Sequence, residues 1–452
     1  MNRNHVLSQL LVLSLVCRVA AAVDFAPLEE TARTELKRNR VPGCAVAVVQ
    51  DGGVALAEGF GTTCIEEGRP VTADTLFRIG STTKMFTAAT VVSLAEEGKL
   101  DLHKPVGDYV KGLHPAIARV TTHQLLTHTA GFNDPNAHYG PHDDTALGVG
   151  LRARDQRLVF VEPGIIYSYA NVGFWLAGLL AEEIAGKPYA DVVKERVLRP
   201  LGMVRSTFRP TEAMTWPFAV GHDPEGRPPA KVVRPLGDNA AVWPAGQLFT
   251  TANEFARWCM AFMDGGKLEG SQALSPDVIT QLSTPHVPIP GDASHYGYGL
   301  KINKHDGLTW LSHSGSRLGY GSQIRMCPEK KFAVVILCNK TAANLPRVAD
   351  KAAQLVLGVA PEPSEPREPL PMTLDEMKRY AGKYSSGLSR TDLAIEDGKL
   401  AATPGGEVTK VGDNRFTCGA TEDGPTTSFQ LVPGADGQPA FLVRKGRALK
   451  RL

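Results

Sequence analysis

The stretch Phe77 to Phe86, FRIGSTTKMF, sets a serine directly after a glycine and a lysine three residues on, then runs into apolar sequence. From Thr82 to Leu100 the chain is apolar on nearly every side, through Met85, Phe86, Ala88, Ala89, Val91, Val92 and Leu94. A helix without a polar face belongs inside a protein. At its start, the three-residue spacing brings Ser81 and Lys84 onto one face. The positive end of the helix dipole and the apolar surroundings both disfavour an ammonium ion there. Lys84 is therefore expected to approach a neutral amine able to take the serine proton. Helix-end N–H groups near Ser81 can also hold a developing oxyanion. The plainer reading is a capping serine and a first-turn lysine, and SxxK recurs by chance about once in a chain of this length. The rest of the chain has to decide between them.

A chain of 452 residues is long enough for two domains. A formal net charge of +2, with both signs interspersed and no basic run carrying aromatics, gives no support to nucleic-acid binding. Small-molecule partners are expected. The start, MNRNHVLSQLLVLSLVCRVAAAVDF, has a short basic region, an apolar stretch from Val6 to Cys17 and a small-residue exit at Ala20, Ala21 and Ala22. It reads as a signal peptide, residues 1–22, cleaved near Ala22, and implies an exported protein, periplasmic or extracellular. The apolar run is too short to span a bilayer, and no later segment is apolar enough to do so.

Export would let some of the remaining cysteines pair. Cys44 and Cys64 flank the hairpin turn QDGG, Gln50 to Gly53, which makes them candidate cross-strand partners; Cys327 and Cys338 flank PEKK at unequal distances, out of register. Buried free thiols are the other reading for all of them. His138 and His142 have the i,i+4 spacing of a zinc helix, but Gly140 and Pro141 in HYGPHDD break any helix there, so a metal site is not expected at these residues.

CAVAVVQDGGVALAEGFG, from Cys44, reads as a strand pair, helical patterns dominate from Thr121 to Leu201, and FARWCMAFMDGG adds a helix near Trp258. Strands return at GLTWLSHSG, SQIRMCP and KFAVVILCN, followed by the helical LPRVADKAAQLVLG. Strands at both ends with helices between predict an α/β core whose sheet is closed by C-terminal strands pairing with N-terminal ones. Residues 23–360 form this domain. PEPSEPREPLP, residues 361–371, reads as a stiff linker. Residues 372–452, with short alternating runs such as DLAIEDGKLAAT and AFLVRKGRALKRL, read as a small antiparallel β domain. The linker makes this tail a candidate cover for a cleft in the first domain, limiting substrate size.

Two further motifs bear on Ser81. EPGIIYSYANVGFWLAG carries Tyr169-Ala170-Asn171 in a turn before an apolar helix beginning near Gly173, where Asn171 alone would read as an N-cap. TWLSHSGSRLGYGS ends a strand with His313-Ser314-Gly315, and Gly315 permits close backbone approach of a ligand. SxxK, YxN and HSG, in this order and on these elements, resemble the serine β-lactamase and penicillin-recognising superfamily, class C β-lactamase-like branch. That branch includes DD-peptidases, D-aminopeptidases and family VIII carboxylesterases. The resemblance runs from about Phe25 to Val359 and extends to DTLFRIGSTTK, HQLLTHTAGF, RPLGM, AGQLFTTANEFARW and YGYGL.

The resemblance implies an antiparallel sheet flanked by helices plus an all-helical region, and covalent acyl transfer followed by hydrolysis, with no metal or organic cofactor. By matching motif, Ser81 would be the nucleophile and Lys84 its base or proton relay. Tyr169 would be a shared general base and later the acid for the leaving group. Asn171, His313, Ser314 and Gly315 would bind substrate, and the oxyanion hole would be the backbone N–H groups of Ser81 and Ser316. The sequence departs from class C β-lactamases at His313, where those enzymes carry the lysine of KTG. A neutral imidazole there weakens the fixed positive charge for a substrate carboxylate. The expected substrate is therefore an ester or a D-amino-acid amide or peptide. The alternatives are a β-lactamase hydrolysing β-lactams and a non-catalytic binding or assembly protein on the same scaffold. An α/β-hydrolase is disfavoured by the absence of a GxSxG elbow.

Overall fold

The computed structural model describes residues 23–135, 137–223, 230–359, 368–419 and 427–452. The leader and most of the linker read from the sequence lie outside the described residues. Among those described, eight strands form one antiparallel sheet. They are β1 (Gly43–Gln50), β2 (Gly53–Gly61), β3 (Val287–Pro288), β4 (His295–Tyr296), β5 (Lys301–His305), β6 (Leu308–Arg317), β7 (Tyr320–Cys327) and β8 (Phe332–Cys338). Their order is β2-β1-β8-β7-β6-β5-β4-β3, so the last long strand pairs with the first, as the sequence pattern predicts.

β1 and β8 lie at the centre and are buried on both faces. That is why they read as nearly unbroken apolar runs rather than as alternating ones. Ala45, Ala47 and Val49 face a large core shared with helices α2 (Lys84–Glu96), α3 (Asn171–Ala185) and α4 (Ala252–Met263). Cys44, Val46 and Val48 face a second core under the terminal helices α1 (Ala26–Asn39) and α5 (Pro346–Leu357). The helix α2, apolar all round, runs through the middle of the larger core, and Phe86 packs there against Trp258 with the rings tilted and their centroids 4.4 Å apart. Truncating a side chain buried this way costs about 3–5 kcal/mol.

The register corrects the cysteine pairing. Cys44 lies opposite Phe60 on β2, whereas Cys64 falls beyond the end of that strand. The residue facing Cys44 is Cys338 on β8, and the Asn339 N–H donates to the Gly43 carbonyl, so the pair occupies a non-hydrogen-bonded site where side chains approach closely. All six described cysteines are free thiols. His142 Nδ1 meets Asp238 Oδ2 at 2.9 Å.

The tail forms a closed barrel of β9 (Gly382–Ser385), β10 (Arg390–Glu396), β11 (Lys399–Thr403), β12 (Gly406–Gly412), β13 (Arg415–Cys418), β14 (Thr427–Pro433), β15 (Pro439–Arg444) and β16 (Arg447–Arg451). Closure leaves no open edge to aggregate. The barrel docks on the first domain through Phe441, Val443 and Ala448, packed with Val161 and Ile166. This contact brings the β15–β16 turn, Lys445 and Gly446, to the YxN segment. No helix among the described residues is long and apolar enough to cross a membrane.

Candidate active site

Ser81 sits in a 3₁₀ turn, Gly80–Thr83, that leads into α2, and Lys84 is the first residue of the α-helix itself. A 3₁₀ turn has three residues per turn, so i and i+3 eclipse. The SxxK spacing thus sets the lysine amine beside the serine hydroxyl, with Nζ 3.1 Å from Ser81 Oγ. Lys84 has no solvent exposure. Its Nζ also donates to Asn171 Oδ1 at 2.7 Å and to the Ala245 carbonyl at 2.8 Å. Both are pure acceptors. A neutral amine satisfies them with its two N–H bonds and turns its lone pair to the Ser81 hydroxyl.

Electrostatics favour that neutral form. Burial holds Lys84 well below the ordinary lysine value; the Asp134 carboxylate opposes this, and the guanidinium groups of Arg447 and Arg317 reinforce it. Tyr169 lies beside the pair, hydrogen-bonded to Ser81, and burial pushes its phenol up, so the resting side chain keeps its proton. Lys84 Nζ is 4.9 Å from the centre of the Tyr169 ring.

The helix α3 begins at Asn171 rather than near Gly173, with Ala170 as its N-cap. Asn171 is therefore not a cap. Its backbone N–H and Nδ2 donate to Asp134 at 2.7 and 3.0 Å, which turns Oδ1 towards Lys84. Asp134 in turn is paired with Arg447 of the barrel, whose guanidinium carbon lies 5.2 Å from the Tyr169 ring centre. The Tyr169 N–H donates to the Gly446 carbonyl at 2.8 Å. The tail thus reaches the cleft and braces two of its residues.

Strand β6 supplies the opposite wall. Its pairing with β5 ends at Ser312, and among the described residues no strand covers residues 313–317 on that side. Arg317 faces Tyr320 across the tight turn, so Ser316 takes a non-hydrogen-bonded place opposite Gly321 and its N–H points away from β7, towards the Ser81 turn. Two glycines allow the approach. Gly80 has φ +54°, and a Cβ there would lie 2.6 Å from the Ser316 nitrogen; a Cβ on Gly315 would lie 2.0 Å from the Ile79 carbonyl oxygen. Gly315→Ala is expected to push β6 off the Ser81 turn and lower kcat/KM about 10²-fold, the scale of a displacement near 1 Å. Steady-state kinetics with a melting curve check this, and a fall below threefold would show that the strand yields elsewhere.

His313 sits at the cleft with Nδ1 donating to the Ser314 carbonyl at 2.7 Å and Nε2 3.0 Å from the Tyr296 hydroxyl. Burial, aided by Lys84, pulls its pKa down to about 3, so it is a neutral imidazole at physiological pH. Ser314 and Gly315 extend along the same open edge. All the residues singled out from the sequence thus meet in one place. Asp134, Tyr296, Arg317 and Arg447 join them without having been found. Tyr296 opens the YGYGL segment and Arg317 lies two residues beyond Gly315 of the HSG motif, so both held some signal; Arg447 is brought in by domain docking, which no local pattern announces.

Two cavities open here. The larger, about 730 Å³, is lined by Tyr169, Tyr296, His313 and Ser314 and by Lys445 and Gly446 of the barrel. The smaller, about 100 Å³, is lined by Ser81, Asn171, Ser316 and Arg317.

A buried lysine on a serine, a tyrosine beside it and an open strand edge with an N–H facing the serine's turn are the makings of a serine hydrolase site without a histidine base. The family model described as Beta-lactamase matches residues 28–358. The chain is 31% identical over 333 residues to penicillin-binding protein 4 of Amycolatopsis lactamdurans, covering 69% of this chain and 84% of that one. It is 30% identical over 341 residues to the unguisins hydrolase ungD' of Aspergillus campestris, covering 71% of this chain and 62% of that one, less than two thirds of the relative. The crystal structure of SurE shares the fold with a TM-score of 0.79 at 24% identity, over 94% of this chain and 98% of that chain. The protein belongs to the β-lactamase family and is a serine hydrolase of the β-lactamase and penicillin-binding protein superfamily.

Proposed function

We propose that the protein is an exported hydrolase that cleaves an ester or a D-amino-acid amide through an acyl-enzyme on Ser81. The observation that carries this is the contact set of Lys84, two pure acceptors and one hydroxyl, in a site that holds the amine neutral. Lys84 takes the Ser81 proton as Oγ bonds to the substrate carbonyl carbon, and the oxyanion is held by the Ser81 and Ser316 N–H groups. Tyr169 then gives its proton to the leaving oxygen or nitrogen as that bond breaks, and the proton on Lys84 restores the phenol. In the second half, water attacks the acyl carbon, loses a proton to the same pair, and Ser81 leaves with one. Because burial keeps Tyr169 protonated at rest, Lys84 is the starting base and tyrosine acts first as acid.

Neutral His313 argues against efficient β-lactam turnover, since it offers no fixed charge to a β-lactam carboxylate. Intact mass after incubation with a penicillin, beside Ser81→Ala and a short-chain ester assay, tests the reading. Ester hydrolysis lost in Ser81→Ala supports it, with a lasting penicillin adduct favouring the peptidase branch and intact drug favouring the esterase branch. Rapid drug destruction would replace it with a β-lactamase. A folded protein with neither activity nor adduct would point to a binding protein.

The same site fixes the sign of a pH effect. Activity needs neutral Lys84, so kcat/KM is full above the lysine's pKa in the folded protein and falls below it, with a midpoint well under 10.5. Arg447→Ala removes a repelling cation and frees the Asp134 carboxylate, and both changes favour the ammonium form. The acid limb of the pH profile is expected to move to higher pH. A limb that stays put or moves down would mean the barrel does not act on Lys84.

A further inference from the structure

Around Ser81 most charged side chains are paired or neutral, and one largely buried cation has no ion-pair partner among the described residues. Arg447 lies on Asp134. Arg78, fully buried, pairs with Asp238 at 2.9 Å, and the other oxygen of that carboxylate meets His142. Lys84 is held towards the neutral amine and His313 is neutral. Arg317 remains.

Arg317 is the last residue of β6, next to the Ser316 whose N–H faces the Ser81 turn. Its Nη2 donates to the Ala137 carbonyl at 2.6 Å and reaches that of His138 at 3.5 Å; its Nε is buried without an acceptor. Among the described residues no carboxylate lies within ion-pair reach of it. Burial, with repulsion from Arg78 and against the pull of the Asp238 carboxylate, lowers its pKa to about 10, which leaves it a cation at neutral pH. Asp238 is already engaged by Arg78 and His142, so the desolvation cost of this cation is only partly compensated, and an anionic ligand in direct contact would offset it.

The guanidinium faces the smaller cavity. Trp175, on the same wall and 5% exposed, also keeps its indole N–H buried without an acceptor. About 100 Å³ of space open to the centres of water-sized groups, at ~10–15 Å³ for each, holds several of them. A chain of two or three methylenes ending in a carboxylate is of that size.

The two cavities differ in what they can hold. The leaving atom must face the acid that protonates it, and Tyr169 lines the large cavity and not the small one. The leaving group therefore lies in the large cavity, under the barrel turn, and the acyl part in the small one. We propose that the preferred acyl donors carry a carboxylate a short chain from the reacting carbonyl, as in a half-ester or half-amide of a small dicarboxylic acid, and that Arg317 holds it in the small cavity. This rests on the acyl-enzyme reading of Ser81.

The test compares kcat/KM for 4-nitrophenyl hydrogen glutarate and 4-nitrophenyl valerate, with spontaneous hydrolysis subtracted, in the wild type, Arg317→Gln and Arg317→Lys. A charge-assisted contact predicts that the wild type prefers the anionic ester about tenfold or more. Arg317→Gln is expected to bring the ratio to about one, and Arg317→Lys to keep part of it. Melting curves show whether each variant is folded. Should Arg317→Gln not fold, the wild-type and Arg317→Lys ratios decide. Equal rates for the two esters in the wild type, or a ratio unchanged in a folded Arg317→Gln protein, would overturn the proposal and leave the hydrolase reading intact. Labelling with a fluorophosphonate separates the remaining case. If neither ester is cleaved while Ser81 is labelled, the anionic-acyl proposal falls alone; if Ser81 is also unlabelled, the acyl-enzyme reading falls with it.

Discussion

Ser81→Ala is expected to abolish hydrolysis of a short-chain ester, with kcat lowered about 10⁴-fold or more, and to remove all covalent labelling by a fluorophosphonate. The magnitude follows from the architecture. Lys84 and Tyr169 are gathered on the Ser81 hydroxyl, and without it the site has no nucleophile to deliver to a carbonyl held by the two N–H groups. Alanine fills a position at the edge of the cleft, so the fold should be retained, as a melting curve would show. Residual activity within tenfold of wild type would mean that another nucleophile acts and that the Lys84 contact is structural.

Lys84→Met is expected to lower kcat about 10³–10⁴-fold, the usual worth of a positioned base. Methionine matches the buried stem in volume, but Asn171 Oδ1 and the Ala245 carbonyl each lose a donor. Leaving a buried acceptor unsatisfied costs about 1–3 kcal/mol, partly offset by removal of a desolvated amine. Turnover should therefore collapse while the protein stays folded. The diagnostic is the pH profile: whatever activity remains should lack the acid limb present in the wild type. A limb that survives in Lys84→Met would belong to another group and would remove lysine as the starting base.

Arg447 and Arg317 show how tertiary contacts set the site's charge. Arg447 arrives from the barrel, far along the chain from Asp134, and settles on the carboxylate that orients Asn171. Both guanidinium groups lower the Lys84 pKa, although neither belongs to a motif that names a base.

From the sequence alone followed the sheet that joins the chain's two halves, because β1 and β8 are apolar on both faces and can exist only as paired central strands. The buried helix α2 followed too, with Ser81 and Lys84 at its start, since a three-residue spacing is a local property of a helical turn. A small antiparallel β domain was legible in the tail as short alternating runs between turns, while its closure into a barrel was seen only in the structure. The tertiary structure decided the rest. It set Cys338, not Cys64, across from Cys44, because register is fixed by which strands meet and not by a turn between two cysteines. It turned Asn171 from a cap into a link between Asp134 and Lys84. It brought the barrel turn onto Tyr169 and left Arg317 without a direct ion pair. Pairings of this kind depend on docking surfaces that lie far apart in the chain, and burial, which sets the protonation of Lys84, Tyr169 and His313, exists only once those surfaces have met.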